Sequence, residues 1–348
     1  MDSQQKKALV FVSAGLGDAI LLVPLVKLLR ENKFAVTALV TTRMPLEELL
    51  ESTGLFDQLI LARTKTGKAW LALKEYHNFN LALVNYFAAT RSNLFLAKRM
   101  ATRVHTNRIP DKAGKRLTHG LVYLQPKKDI HDAEQNVLLA GKGSMDIKAE
   151  HMRLTIPNRN TLNLQEGYII LQISAIHNKQ EYKNWGVPHW IRFLKLCKDS
   201  FPKLRFVMLG DQTETSLGAE VMAAGIGNTE NQMGKTNIRE AWEAIEKSQL
   251  FIGVDGGLMH LAVAAGKPTL TLWGPSSPIL YGYERINPEM HRVVSLNLPC
   301  APCSAWISPN TTRFPSPEAC PLRECLSTLS PEQVFGEFTT FVKKHALV

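Results

Sequence analysis

Apolar residues occur along this chain in short blocks, and between the blocks they recur at helical spacing. In the first half the blocks at 8–12, 35–40, 58–61, 81–84 and 103–105 read as strands, separated by helical patterns near 18–31, 45–53, 66–77 and 91–100. A polar stretch from 141 to 167, with Pro157-Asn158-Arg159-Asn160 inside it, carries little periodicity and reads as a linker. The alternation then resumes. Strand blocks at 168–173, 206–209, 250–253 and 269–273 enclose helical patterns at 188–200, 214–224, 237–247 and 258–265. Strand and helix taking turns predict parallel, doubly wound α/β sheets, one on each side of the linker. The expected division is an N-terminal domain over 1–155, a C-terminal domain over 156–330, and an amphipathic segment over 331–348 packing back toward the N-terminal domain. A length of 348 residues fits two cores better than one.

Two glycine turns stand at strand ends, where open α/β sheets bind ligands. Val254-Asp255-Gly256-Gly257-Leu258-Met259-His260 joins the strand at 250–253 to a short helix. Its glycines admit close approach to a ligand, and the N–H groups of Gly256, Gly257 and Leu258 would face a phosphate at the positive end of the helix dipole. The alternative is a turn that only reverses the chain. Gly15-Leu16-Gly17-Asp18 follows the first strand. Ile20 sits where a dinucleotide fingerprint needs its third glycine, so a nicotinamide-dependent dehydrogenase is the distant reading. The turn presents a carboxylate, Asp18, which either caps the helix behind it or faces the ligand.

Composition excludes some classes. With 45% hydrophobic and 21% charged residues the chain reads as an ordinary globular protein, expected in the cytoplasm, since the apolar stretch 8–26 is broken by Gly15, Gly17, Asp18 and Pro24. The net charge of +10 is uneven: residues 1–150 carry 22 Lys and Arg against 14 acids, and the rest 19 against 17. The excess gathers at Arg91, Lys98, Arg99, Arg103, Arg108, Lys112, Lys115 and Arg116. Such a run is either a solvated face or a surface for an anionic partner, a phosphorylated lipid or a membrane headgroup. No nucleic-acid motif accompanies it.

The motifs together resemble one family. Gly15-Leu16-Gly17-Asp18, Lys183-Asn184-Trp185 with Trp190, Gly234-Lys235-Thr236, and Asp255-Gly256-Gly257-Leu258-Met259-His260 with Pro268 and Trp273-Gly274-Pro275 are similar, in this order, to the lipopolysaccharide heptosyltransferases of glycosyltransferase family 9. The resemblance implies a GT-B fold, two Rossmann-like doubly wound domains facing a central cleft. It implies an inverting transfer of heptose from ADP-heptose to a lipopolysaccharide core acceptor, with no cofactor required. Asp18 would be the general base and Lys183 a phosphate-binding catalytic cation. Gly15, Gly17, Ser174, Glu214, Thr236, Asp255 and His260 would line the substrates. Glu214 would take the ribose hydroxyls or simply favour its helix dipole; His260 would reach a phosphate or rest in the core. Arg99, Arg103, Arg108, Lys112 and Arg116 would meet the anionic, phosphorylated glycolipid at the inner membrane face. Many relatives have Ser or Thr where this chain has Gly256, so one phosphate-binding hydroxyl is missing.

Cysteines add an alternative. Cys300, Cys303, Cys320 and Cys325 cluster in a Pro-rich stretch and could hold structural zinc or iron, or remain free or redox-active thiols. A metal finger would favour an autotransporter-modifying heptosyltransferase, since some such relatives hold iron there; a non-catalytic nucleotide-sugar binder is the reading from another class.

Overall fold

A computed structural model describes residues 5–111, 113–127, 129–141, 146–175, 181–303 and 319–347. The chain splits into two compact units, Met1–Pro157 and Asn158–Val348. The division falls inside the expected linker.

The first unit runs β1 (Lys7–Val12), α1 (Leu16–Ile20), α2 (Val23–Glu31), β2 (Ala35–Val40), α3 (Glu47–Ser52), β3 (Gln58–Leu61), α4 (Lys65–Lys74), β4 (Leu81–Val84), α5 (Arg91–Met100), β5 (Val104–Thr106), α6 (Lys115–Thr118), β6 (Leu121–Tyr123), α7 (Asp132–Leu138) and α8 (Ala149–Met152). Its six strands pair in parallel in the order β3-β2-β1-β4-β5-β6. Helices cover both faces of such a sheet, so β4 is buried at every position and β1 and β2 at all but the first. One core joins Leu9, Phe11, Leu39 and Val84 of the strands to Leu71 of α4 and to Leu94, Leu96 and Met100 of α5.

The second unit continues β7 (Tyr168–Gln172), α9 (Val187–Ser200), β8 (Arg205–Met208), α10 (Thr215–Ala223), β9 (Thr229–Asn231), α11 (Ile238–Lys247), β10 (Leu250–Val254), α12 (Gly257–Ala264), β11 (Thr269–Leu272), α13 (Pro278–Tyr281), β12 (His291–Val294), α14 (Glu324–Ser327) and α15 (Pro331–Lys344). The sheet is again parallel and six-stranded, in the order β12-β11-β10-β7-β8-β9.

Three departures from the sequence reading have local causes. The helix expected over 18–31 is two helices, because Pro24 cannot donate to the Ile20 carbonyl four residues back; the carbonyl of Leu21, in the break, accepts from Asn136 Nδ2 at 3.1 Å. The outer strands β6, β9 and β12 went unread, two of them only three residues long. The C-terminal segment, expected against the N-terminal domain, forms α15 and packs on α9. Val334, Phe338, Phe341 and Val342 enter the C-terminal core, where Phe338 meets Phe193 edge-on at 5.3 Å between centroids. Among the described residues no helix is long and apolar enough to cross a membrane.

Candidate functional sites

In the second sheet the chain starts at β7 and builds outward in both directions, so the loops after β7 and β10 diverge at the carboxyl edge and leave a crevice there. Ser174, Lys183, Asp255 and Gly256 come together at this switch point. Ser174 follows β7, and Asp255 and Gly256 follow β10. Lys183 is carried by a short 3-10 turn, Glu181–Lys183, whose exit is pinned. Trp185 is buried with its indole N–H donating to the Leu329 carbonyl at 2.7 Å, and Asn184 accepts from Ala175 N–H at 3.0 Å. Gly186 then takes φ +104, a conformation that favours glycine, before α9 begins.

So held, the Lys183 ammonium donates to Asp255 Oδ2 at 2.8 Å. Asp255 is buried, and burial pushes its carboxyl up, yet the Lys183 ammonium, His260 and the Ser276 hydroxyl together outweigh that and hold it below the ordinary carboxylate range. His260, one turn into α12, has Nδ1 2.7 Å from the Tyr283 hydroxyl, and burial lowers it to about 4. A neutral imidazole can exchange a hydrogen bond with a phosphate but adds no charge.

Gly256 is the N-cap of α12, with the N–H groups of the first turn at its mouth. A Cβ there would lie 2.6 Å from Gln172 Nε2 and 3.2 Å from Ala175 Cβ. The amide of Gln172, a residue the sequence reading passed over, fills the space a Ser or Thr side chain would need. Glu214 is occupied: one carboxylate oxygen accepts from Ser174 Oγ, the other from Asp211 N–H at 2.9 Å, closing a capping box. Thr236 is half-buried just before Asn237, which caps α11.

The first sheet has its own switch point at β1, between β2 and β4. Gly15 is the N-cap of α1 and Gly17 lies within it; Asp18, half-buried, accepts from Gly15 N–H at 2.9 Å. The capping contact is therefore present. Burial, and then the charge of Asp18, push the carboxyl of buried Asp132, at the start of α7, up to about 8. Two carboxyl groups thus interact where the sequence pointed to one. At the same carboxyl edge, Lys68 Nζ donates to Asn93 Oδ1 at 2.8 Å, and Asn93 Nδ2 donates to Ser13 Oγ at 3.1 Å. Burial lowers the Lys68 ammonium below its usual range. Only a glycine turn announced this region; Lys68, Asn93 and Asp132 carry no local signal.

The five expected acceptor cations divide. Arg108 follows β5 at the carboxyl edge, its guanidinium 4.4 Å from the Tyr86 ring centroid. Arg103 precedes β5 and Arg99 closes α5 beside it, so both lie at the amino edge, level with the start of β1 and away from Asp18. Arg116 is exposed on α6, and Lys112 lies outside the described residues. The four-cysteine site is not assembled either. Burial, then the neighbouring Cys303, Cys300 and Cys320, push the Cys325 thiol up to about 11, so the thiols do gather. Yet among the described residues no three His, Cys, Asp or Glu side chains are placed to hold a metal ion.

The family model described as glycosyltransferase family 9 (heptosyltransferase) matches residues 128–311, just over half of the chain, including Lys183 and 255–260 but not Asp18. Lipooligosaccharide heptosyltransferase 2 of Campylobacter jejuni is 24% identical over 59% of this chain and 62% of its own length. Lipopolysaccharide heptosyltransferase 2 of Escherichia coli is 33% identical over 28% of each. The chain thus spans less than two thirds of either relative. A solved structure of the E. coli ADP-heptose lipopolysaccharide heptosyltransferase II is 18% identical, with a TM-score of 0.72 over 98% of this chain and 99% of the other, a likeness of fold.

Proposed function

The chain belongs to glycosyltransferase family 9, and on that premise we propose that it transfers a heptose from ADP-heptose to a phosphorylated lipopolysaccharide core acceptor with inversion at the anomeric carbon. The observation that carries the reading is the Lys183–Asp255 pair at the mouth of α12. Transfer from a nucleoside diphosphate builds negative charge on the leaving group, and a partly buried ammonium beside a row of helix N–H groups stabilises that charge where it develops. In this reading Lys183 donates another of its three N–H groups to a diphosphate oxygen while Asp255 keeps the ammonium aimed. Ser174 and Thr236 border the nucleotide, while Glu214 holds the Ser174 hydroxyl in place.

On the acceptor side Asp18 takes the proton from the attacking hydroxyl. Asp132, held protonated by its surroundings, would leave Asp18 as the ionised member of the pair. Lys68 and Arg108 supply positive charge for an acidic acceptor at the same sheet edge. Two relatives bear the names lipooligosaccharide and lipopolysaccharide heptosyltransferase 2, which supports that acceptor class.

The test is calorimetric titration of the full chain with ADP and ADP-heptose, alongside UDP and NAD, repeated on Lys183→Ala. Binding confined to the adenine diphosphates and weakened in the variant is the expected result. Equal binding of UDP, or an unchanged constant in Lys183→Ala, would remove the donor assignment.

A further inference from the structure

The outer surface of α4 and α5 is apolar where solvent would normally demand polar side chains. Leu71 and Ala72 of α4 face the core, yet Trp70 and Leu73 beside them are 58% and 73% exposed. A helix apolar on both sides needs cover on both sides. On α5, Phe95 is 57% exposed and sits one turn from Arg91, Lys98 and Arg99. The two helices pack together. Tyr76, just past α4 and 54% exposed, bridges them, with the Arg99 guanidinium 4.6 Å from its ring centroid. Lys74 lies 4.7 Å from the centroid of Trp70.

The segment that carries these helices is strongly basic. Residues 63–116 hold twelve Lys and Arg against two acids, Glu75 and Asp111, a surplus equal to the formal charge of the entire chain. Lys98 is spent inside, donating to the carbonyls of Arg116, Leu117 and His119, which fastens α6 with its exposed Lys115 and Arg116 beside α5. Cations flank the exposed apolar side chains: Lys74 lies over Trp70, Arg99 over Tyr76, and Arg91 and Arg99 stand one turn from Phe95. Exposed apolar side chains flanked by cations suit a layer whose phosphates lie directly above its acyl chains.

We propose that the outer face of α4 and α5 docks on an anionic phospholipid bilayer. Trp70, Leu73 and Phe95 enter the boundary between headgroups and acyl chains, while Lys74, Arg91 and Arg99 pair with lipid phosphates. This assigns a partner to Arg99, which the sheet keeps away from Asp18, and it rests on the glycolipid-acceptor reading only for its biological purpose. Docking here would bring the N-terminal unit to the surface where a lipid-anchored acceptor resides.

The experiment is co-sedimentation of the full chain with vesicles of phosphatidylcholine alone and with added phosphatidylglycerol, with no donor or acceptor present. Its result is therefore independent of the nucleotide titration. Binding is expected only with the anionic lipid, to fall as salt rises, and to shift tryptophan emission to the blue. The described tryptophans other than Trp70 are buried, so Trp70→Phe should keep binding and lose most of the shift. The variant Trp70→Ser/Leu73→Ser/Phe95→Ser should bind about tenfold or more weakly, because the transfer term is lost while every cation stays. Its circular dichroism and ADP affinity should match the wild type. Unchanged vesicle binding in that variant would overturn the proposal, as would no vesicle binding by the wild type. So would self-association of the wild type that the serine variant abolishes, which would make a second copy the occupant.

Discussion

The Lys183 ammonium and the Asp255 carboxylate, 72 residues apart in sequence, meet at 2.8 Å with both side chains mostly withdrawn from solvent. Each therefore depends on the other. Removing the cation leaves a buried carboxylate uncompensated, a defect that typically costs about 3–5 kcal/mol. Lys183→Ala should melt well below the wild type, and Lys183→Ala/Asp255→Asn should recover most of the lost melting temperature without recovering ADP affinity. Differential scanning calorimetry with ADP titration reads both. If the double variant melts no higher than the single one, the pair is not what supports Asp255.

Asp18 has two duties that two substitutions separate. Asp18→Asn keeps an oxygen for Gly15 N–H but cannot accept the acceptor's proton; Asp18→Ala loses both. Both should lower kcat by roughly 10²–10⁴-fold. Only the alanine variant should also lose about 1 kcal/mol of stability from the missing cap. A fully active Asp18→Asn enzyme would reduce Asp18 to its capping role.

Asp132 makes stability depend on pH in an unusual direction. Its carboxyl keeps its proton in the folded chain up to about pH 8, whereas in the unfolded chain it ionises near the ordinary value of about 3.9. Between these values the folded state binds the extra proton, so stability falls as pH rises, by up to about 1.4 kcal/mol per unit for this one group. Urea unfolding at pH 5 and at pH 8 should show a steeper loss for the wild type than for Asp132→Asn. Identical slopes would mean that Asp132 is ionised in the fold.

Gly256 and Gln172 should be coupled. Gly256→Ser places a Cβ against the Gln172 amide and is expected to cost about 1–3 kcal/mol together with nucleotide affinity. Gln172→Ala alone should cost less. The combination should be better than the sum of the two, because the alanine vacates the space the serine needs. Additive losses would place the obstruction elsewhere.

Much of the fold was legible before any coordinates. The inner strands fell where the apolar blocks lie, because a strand covered by helices on both faces has to be apolar at nearly every position. The phosphate-cradle turn at 254–260 was legible for a related reason: strand, paired glycines and helix are local, and together they define a helix mouth. Of the four edge strands only β3 was; β6, β9 and β12 were not. Thr229–Asn231 has every residue half-exposed, so no apolar signal marks it, and backbone pairing alone makes it a strand.

Sequence by itself determined the two α/β sheets, the glycine turns at their strand ends, the Lys183-Asn184-Trp185 motif and the concentration of positive charge in the first half, all set by neighbours within a few residues. Tertiary structure alone decided which side chains meet. It set Lys183 on Asp255, Asp132 within reach of Asp18, Lys68 on Asn93 and Gln172 against Gly256, and it turned α15 into the C-terminal core. It also separated Arg108 from Arg99 and Arg103, which the linear charge run had joined, by placing them at opposite edges of one sheet. The physical reason is that periodicity and turn chemistry act through adjacent peptide units, while pairing and burial depend on the path of the entire chain, which brings together residues tens of positions apart and parts others only a few positions from each other.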